Sequence, residues 1–238
     1  MRYIKLILIT AMSTLFIACG GSSDNSSQNT TVSQPAEESI SDNVNQSTLL
    51  RVACVGDSIT AGTGLSNPEK DSYPSQLSGM LGEGWEVQNF GIKSATLMKS
   101  GSLPYWNTSM FNPSHDYNPD IVVIILGTND AKPNNWVNKD QFIPDYTALI
   151  ESYKNLPSQP IVFVCYPPPV YAEVAGITDQ RIKGEVIPKI SQVASINGVA
   201  VIDVYTALSN KKELFPDNVH PNVEGARQLA QTVYRSIY

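Results

Sequence analysis

Histidine is scarce in this chain, with two among 238 residues, and cysteine nearly so, with three. Cysteines at 19, 54 and 165 cannot build a disulfide framework, and none stands in a CxxC spacing, which argues against a structural zinc site. Charge is thin as well. Charged residues make up 16% of the chain, below the quarter usual for globular proteins. The balance is acidic, 16 Lys and Arg against 22 Asp and Glu, for a net −6. A nucleic-acid binder needs a basic face against phosphate, so that role is disfavoured. The apolar stretch at 6–18 is shorter than the ~20 residues a membrane-spanning helix requires. What the chain does have is 42% hydrophobic residues, too many for a disordered protein, and length enough for one or two domains with a buried core.

The composition is uneven along the chain. Residues 1–18 carry Arg2 and Lys5 ahead of an apolar stretch, the pattern of a signal peptide. Phe16-Ile17-Ala18-Cys19 resembles a bacterial lipobox, which implies cleavage before Cys19 and lipidation of its thiol. Residues 20–47 hold eight Ser, four Asp and Glu, no Lys or Arg and no aromatic residue. Such a segment cannot bury enough apolar surface to offset chain entropy, so 19–47 reads as a lipidated cysteine and a disordered tether spanning roughly 30 Å. Residues 48–238 remain as the folded body, with 14 Lys and Arg against 18 Asp and Glu, a charge of −4. The expected address is the bacterial cell envelope, with the membrane touched only through the N-terminal lipid.

Within the body, strands are expected at 49–55, 85–90, 121–126, 161–166 and 199–205. The run Ile121-Val122-Val123-Ile124-Ile125-Leu126 is apolar on both faces, as a strand covered by helices on both sides must be. Helical periodicity appears between strands. Phe142, Tyr146, Leu149, Ile150 and Tyr153 share one face, and Ala226, Leu229, Ala230, Val233 and Ile237 share another. This alternation predicts an α/β domain with a parallel sheet. Ligands in such sheets sit at the carboxyl ends of the strands, so the loops there are where chemistry is expected.

The first of these loops is Gly56-Asp57-Ser58-Ile59-Thr60. A serine on a sharp strand-to-helix turn presents its hydroxyl beside free backbone N–H groups, which suits a nucleophile; it can equally be a hydrogen-bonding turn residue. Phosphate-loop patterns fail here, because Ala61-Gly62 stands where Gly-Lys would be needed and Asn67 where a glycine would. A serine nucleophile needs a base. His220 follows Asp217 by three residues, a spacing at which the carboxylate can hold one imidazole nitrogen and leave the other for Ser58. His115 lies in a proline-containing loop and reads as a surface or packing residue.

These residues together resemble the GDSL/SGNH hydrolase family. Gly56-Asp57-Ser58-Ile59 matches its first motif, Gly91 in Asn89-Phe90-Gly91 its second, Gly127-Thr128-Asn129-Asp130 its third, and Asp217 with His220 its last, all in order. The resemblance implies a flavodoxin-like three-layer αβα fold with a five-stranded parallel sheet of order 2-1-3-4-5. It implies a Ser58–His220–Asp217 triad and an oxyanion hole from the Ser58 N–H, the Gly91 N–H and the Asn129 side chain. Asp57 and Asp130 are expected to bond turn amides. One departure stands in Lys93-Ser94-Ala95-Thr96, where many members carry a further glycine after the second motif. In that strand order Cys54 and Cys165 lie two inter-strand steps apart, roughly 9 Å, too far for a disulfide.

The substrate is less legible. Trp106, Trp136 and Tyr166 lie in strand-end loops, where they either stack on sugar rings or anchor the loops by packing. A tethered enzyme of this kind resembles the family's carbohydrate O-acetylesterases, including those acting on sialic acid and on plant polysaccharide, with no metal or other cofactor. The expected partner is an acetylated carbohydrate. Competing readings are a lysophospholipase- or thioesterase-type lipase, an acyltransferase, and a non-catalytic glycan-binding lipoprotein.

Overall fold

A computed structural model describes residues 49–238. The expected signal, Cys19 and tether lie outside the described residues.

Five strands form one parallel sheet: β1 (Leu50–Gly56), β2 (Trp85–Gly91), β3 (Ile121–Ile125), β4 (Ile161–Cys165) and β5 (Ala200–Ile202). Their order is β2-β1-β3-β4-β5, as the family resemblance implied. Successive side chains of β3 point to opposite faces, and both faces are covered. Val122 and Ile124 join Ala53, Val55, Val162 and Val164 under the Phe142–Lys154 and Ile187–Asn197 helices. Ile121, Val123 and Ile125 join Val52, Cys54 and Cys165 under the Tyr73–Leu81 and Val223–Ile237 helices. This two-sided burial is why the central strand shows no polar alternation. The helical faces foreseen from periodicity are the buried ones: Phe142, Tyr146, Leu149, Ile150 and Tyr153 on one helix, and Ala226, Leu229, Ala230 and Val233 on another.

One strand is shorter than expected. The segment 199–205 keeps only Ala200–Ile202 in the sheet, because Asp203 accepts a hydrogen bond from the Thr206 N–H at 2.8 Å and caps a Val204–Leu208 helix. Val204 and Leu208, four residues apart, are both buried, so the apolar spacing there was helical.

Cys54 and Cys165 are free and buried, and burial pushes the Cys54 thiol up to about 12. Both thiols are therefore inert packing groups.

Register sets up the site. Gly56 lies opposite Gly91 on one side and Ile125 on the other, so the chains leaving β1, β2 and β3 emerge at one level.

Candidate active site

Ser58 opens a single helical turn, Ser58–Ala61, directly after β1. Asp57 caps that turn by accepting from the Ile59 N–H at 2.9 Å, and Gly62 ends it at φ 79°. Gly56 makes the tightness possible. A Cβ there would lie 2.2 Å from the Thr60 Oγ1 and 2.6 Å from the Ile125 carbonyl oxygen. The turn leaves the Ser58 N–H without a partner at a helix N-terminus, where backbone donors point outward.

His220 arrives from the loop after the Val204–Leu208 helix. Its Nε2 lies 2.9 Å from the Ser58 Oγ, and its Nδ1 lies 2.6 Å from the Asp217 Oδ2. The other oxygen of Asp217 accepts from the His220 N–H at 2.7 Å and the Val219 N–H at 3.0 Å. Burial works against the Asp217 charge, yet the backbone N–H and imidazole of His220, with the Val219 N–H, outweigh it and hold the carboxyl below the usual range. An imidazole so held keeps Nδ1–H toward Asp217 and leaves Nε2 to face Ser58. His115 stands apart, bonded to the Phe111 carbonyl oxygen and Ser152 and stacked on Tyr153 at 4.1 Å, a packing role.

Ser58 and His220 line a cavity of about 120 Å³ together with Ser94, Asn129, Lys93 and Lys132; Val174, Ala175, Ile177 and Val219 form its apolar side. Asn129 donates one amide hydrogen to the Ala95 carbonyl oxygen at 3.2 Å and keeps the other. Gly91 does not join them. Its N–H donates to the Asn89 Oδ1 at 2.9 Å, and it does not line the cavity. Glycine is needed there for packing instead, since a Cβ would fall 2.2 Å from the Ala61 nitrogen. Ser94, which does line the cavity, has an N–H without a partner and a φ of 67°. That left-handed backbone turns the Ser94 N–H away from the loop's own carbonyls. The missing second glycine was the signal for it.

Asp130 fixes this loop from below, accepting from the Leu97 N–H at 2.9 Å and the Met98 N–H at 2.8 Å. Burial raises Asp57 from its ordinary 3.8 to about 6 and Asp130 to about 7. Raised carboxyls favour the folded state fully below the ordinary value and lose that contribution as pH rises through the folded one. Asp130→Asn forfeits one acceptor but carries no proton to lose. Its stability relative to wild type should therefore improve by about 3 kcal/mol between pH 4.5 and 7 in urea unfolding. A deficit that widens over that interval would show a stabilising carboxylate instead.

The far wall was invisible in sequence. Val174 and Ile177 exchange backbone hydrogen bonds at 3.1 and 2.9 Å around Ala175-Gly176, both at positive φ, making a two-residue turn. Arg181 ties it down by donating to the carbonyl oxygens of Gly176 and Ala131.

The three aromatic candidates for sugar contact are elsewhere. Trp106 donates to the Leu97 carbonyl oxygen, with Lys99 over its ring at 4.1 Å and Phe111 against it. Trp136 is buried against Phe142 and donates to Glu185. Tyr166 pairs its hydroxyl with Ser191 at 2.7 Å. None lines the cavity, because each polar tip is satisfied by a loop or helix it anchors. A second cleft, of about 340 Å³, shares His220 but not Ser58 and is walled by Leu65, Pro216, Pro221 and Val223.

A hydroxyl, an imidazole and a carboxylate in line, at the strand ends of a parallel sheet and facing unpaired donors, define the class of the α/β carboxylic ester hydrolases. The chain belongs to the GDSL-like lipase/acylhydrolase family, whose model matches residues 54–228. It is 34% identical over 206 residues to an acetylxylan esterase from Xylanibacter ruminicola, covering 79% of this chain and 43% of that one. The chain thus spans under half the length of that relative. Among solved structures, the fold is shared with an M. smegmatis aryl esterase at TM-score 0.65 and 21% identity, covering 79% of this chain and 98% of that one. It is shared also with a carbohydrate acetylesterase from Sinorhizobium meliloti at TM-score 0.64 and 20% identity, with the same coverage.

Proposed function

We propose that this domain is a serine esterase that removes acetyl groups from carbohydrate. The observation that carries it is His220 bridging Ser58 and Asp217 beside a cavity of only about 120 Å³. Ligand pockets for larger molecules run to roughly 300–1,000 Å³, so this space suits a two-carbon acyl group. The named substrate of the X. ruminicola relative supports an acetylated glycan.

Ser58 Oγ attacks the ester carbonyl carbon while His220 Nε2 takes its proton. Negative charge develops on the carbonyl oxygen, facing the N–H groups of Ser58 and Ser94 and the free amide hydrogen of Asn129. Asp217 stabilises the imidazolium. His220 then protonates the departing sugar oxygen, leaving acetyl on Ser58. Water activated by the same nitrogen releases acetate and restores the serine.

Acyl-chain length tests this reading. kcat/KM should be greatest for nitrophenyl acetate and fall at least about tenfold by the octanoate, since a chain that cannot enter leaves its apolar surface in water. Rates rising with chain length would place the acyl group in the 340 Å³ cleft and favour a lipid or thioester substrate.

We also infer that the enzyme is a lipoprotein of the bacterial cell envelope, held through Cys19 with residues 20–47 as its leash. Labelled fatty acid should enter the wild type and not Cys19→Ala; equal labelling of both would remove the anchor.

A further inference from the structure

His220 reaches Ser58 from the far edge of the sheet. Its loop follows β5, and β3 and β4 lie between β5 and the β1 strand that carries Ser58. A loop of that reach keeps its imidazole 2.9 Å from a hydroxyl only if other groups brace it. Part of the bracing is internal. The Asp217 carboxylate gathers the Val219 and His220 N–H groups, and the Asn222 N–H donates to the Leu214 carbonyl oxygen at 2.7 Å. Bonds of this kind shape the loop without placing it against the rest of the domain.

Tyr171, in the segment after β4, supplies an outside brace. Its hydroxyl donates to the Leu208 carbonyl oxygen and accepts from the Lys211 N–H at 2.8 Å, joining the end of the Val204–Leu208 helix to the start of the loop. Its ring packs on Phe215 at 5.1 Å. Its backbone N–H donates to the carbonyl oxygen of Asn218 at 2.9 Å, and Asn218, at φ 69°, directly follows Asp217. One residue thus holds the loop at its entry, at its middle and inside the Asp217–His220 turn. Tyr171 is itself fixed. Pro167-Pro168-Pro169 lead into it with restricted φ. The Val170 N–H donates to one oxygen of Asp179 at 3.1 Å, and the Tyr205 hydroxyl to the other at 2.7 Å.

Resting on the esterase reading above, we propose that Tyr171 is a positioning residue for the reaction, setting the Asp217–His220 pair against Ser58. Tyr171 does not line the cavity, whereas Val174, Ala175 and Ile177 of the same segment do. Loss of its hydroxyl therefore frees the entry of the histidine loop and leaves the acyl space walled as before. Proton transfer depends steeply on where Nε2 lies, and ground-state binding does not, so the effect falls on kcat.

Nitrophenyl acetate turnover by the wild type comes first, since its absence would overturn the esterase reading and this one with it. Tyr171→Phe keeps the ring and the N–H and removes the hydroxyl. It should lower kcat about 5–20-fold with KM within about twofold, and slow phosphonylation of Ser58 by a fluorophosphonate by a similar factor. Tyr117→Phe takes a comparable half-buried hydroxyl from the Glu86 carbonyl oxygen, at the amino ends of the strands, and should leave kcat unchanged. Tyr171→Phe/Asp217→Asn should lose little more than Asp217→Asn, because both changes act through one imidazole. A wild-type kcat in Tyr171→Phe, a loss carried by KM, an equal loss in Tyr117→Phe, or losses that multiply in the double variant would each overturn the proposal while the esterase reading stands.

Discussion

Ser58→Ala should lower kcat for nitrophenyl acetate by on the order of 10⁴–10⁶ while the domain stays folded. The hydroxyl is the group that His220 Nε2 meets at 2.9 Å, and its loss leaves His220 facing space that water can enter. On the proposed mechanism the residual rate would come from the backbone N–H groups of Ser58 and Ser94 and the Asn129 amide, all of which survive the substitution. His220→Ala should cost about as much, and the double variant little more, because the two act as one unit. Independent, multiplying losses in stopped-flow or steady-state assays would mean that Ser58 and His220 do not share a step.

Asp217→Asn should cost about 10³–10⁴ in kcat with little change in KM. Its two oxygens do separate work. Oδ2 fixes the imidazole at 2.6 Å, and Oδ1 receives the backbone N–H groups of Val219 and His220. Asparagine can keep the backbone contacts through its oxygen. Its amide then meets Nδ1 with a donor, which turns the histidine to the tautomer that carries its proton on the Ser58 side. The carboxylate is partly open to water, which limits the loss to the lower part of that range. A loss under tenfold would show that backbone contacts alone orient His220.

The side chains that join His220 or line the cavity beside it were legible in sequence. Ser58, Asn129, Asp217 and His220 converge because each follows a strand or caps a loop at the same sheet edge, and their motifs are short and local. The sheet was legible for a similar reason: β3 is apolar on both faces, and only a covered central strand tolerates that. The failures concern groups whose role depends on the backbone or on distant partners. Gly91 carries the motif's glycine, but its N–H is taken by Asn89 two residues away, and the free donor is at Ser94. The aromatic residues 106, 136 and 166 lie in the right loops but turn their polar tips to Leu97, Glu185 and Ser191. β5 ended early because one aspartate cap outweighed a β-branched run.

The most direct test of the account is to trap the acetyl-enzyme. Nitrophenyl acetate mixed with the protein and quenched in acid should leave one acetyl group on the peptide containing Ser58, read by mass spectrometry. His220→Ala should show little of it. Rapid release of nitrophenol with no acetyl group on Ser58, or with the group on another residue, would contradict the mechanism.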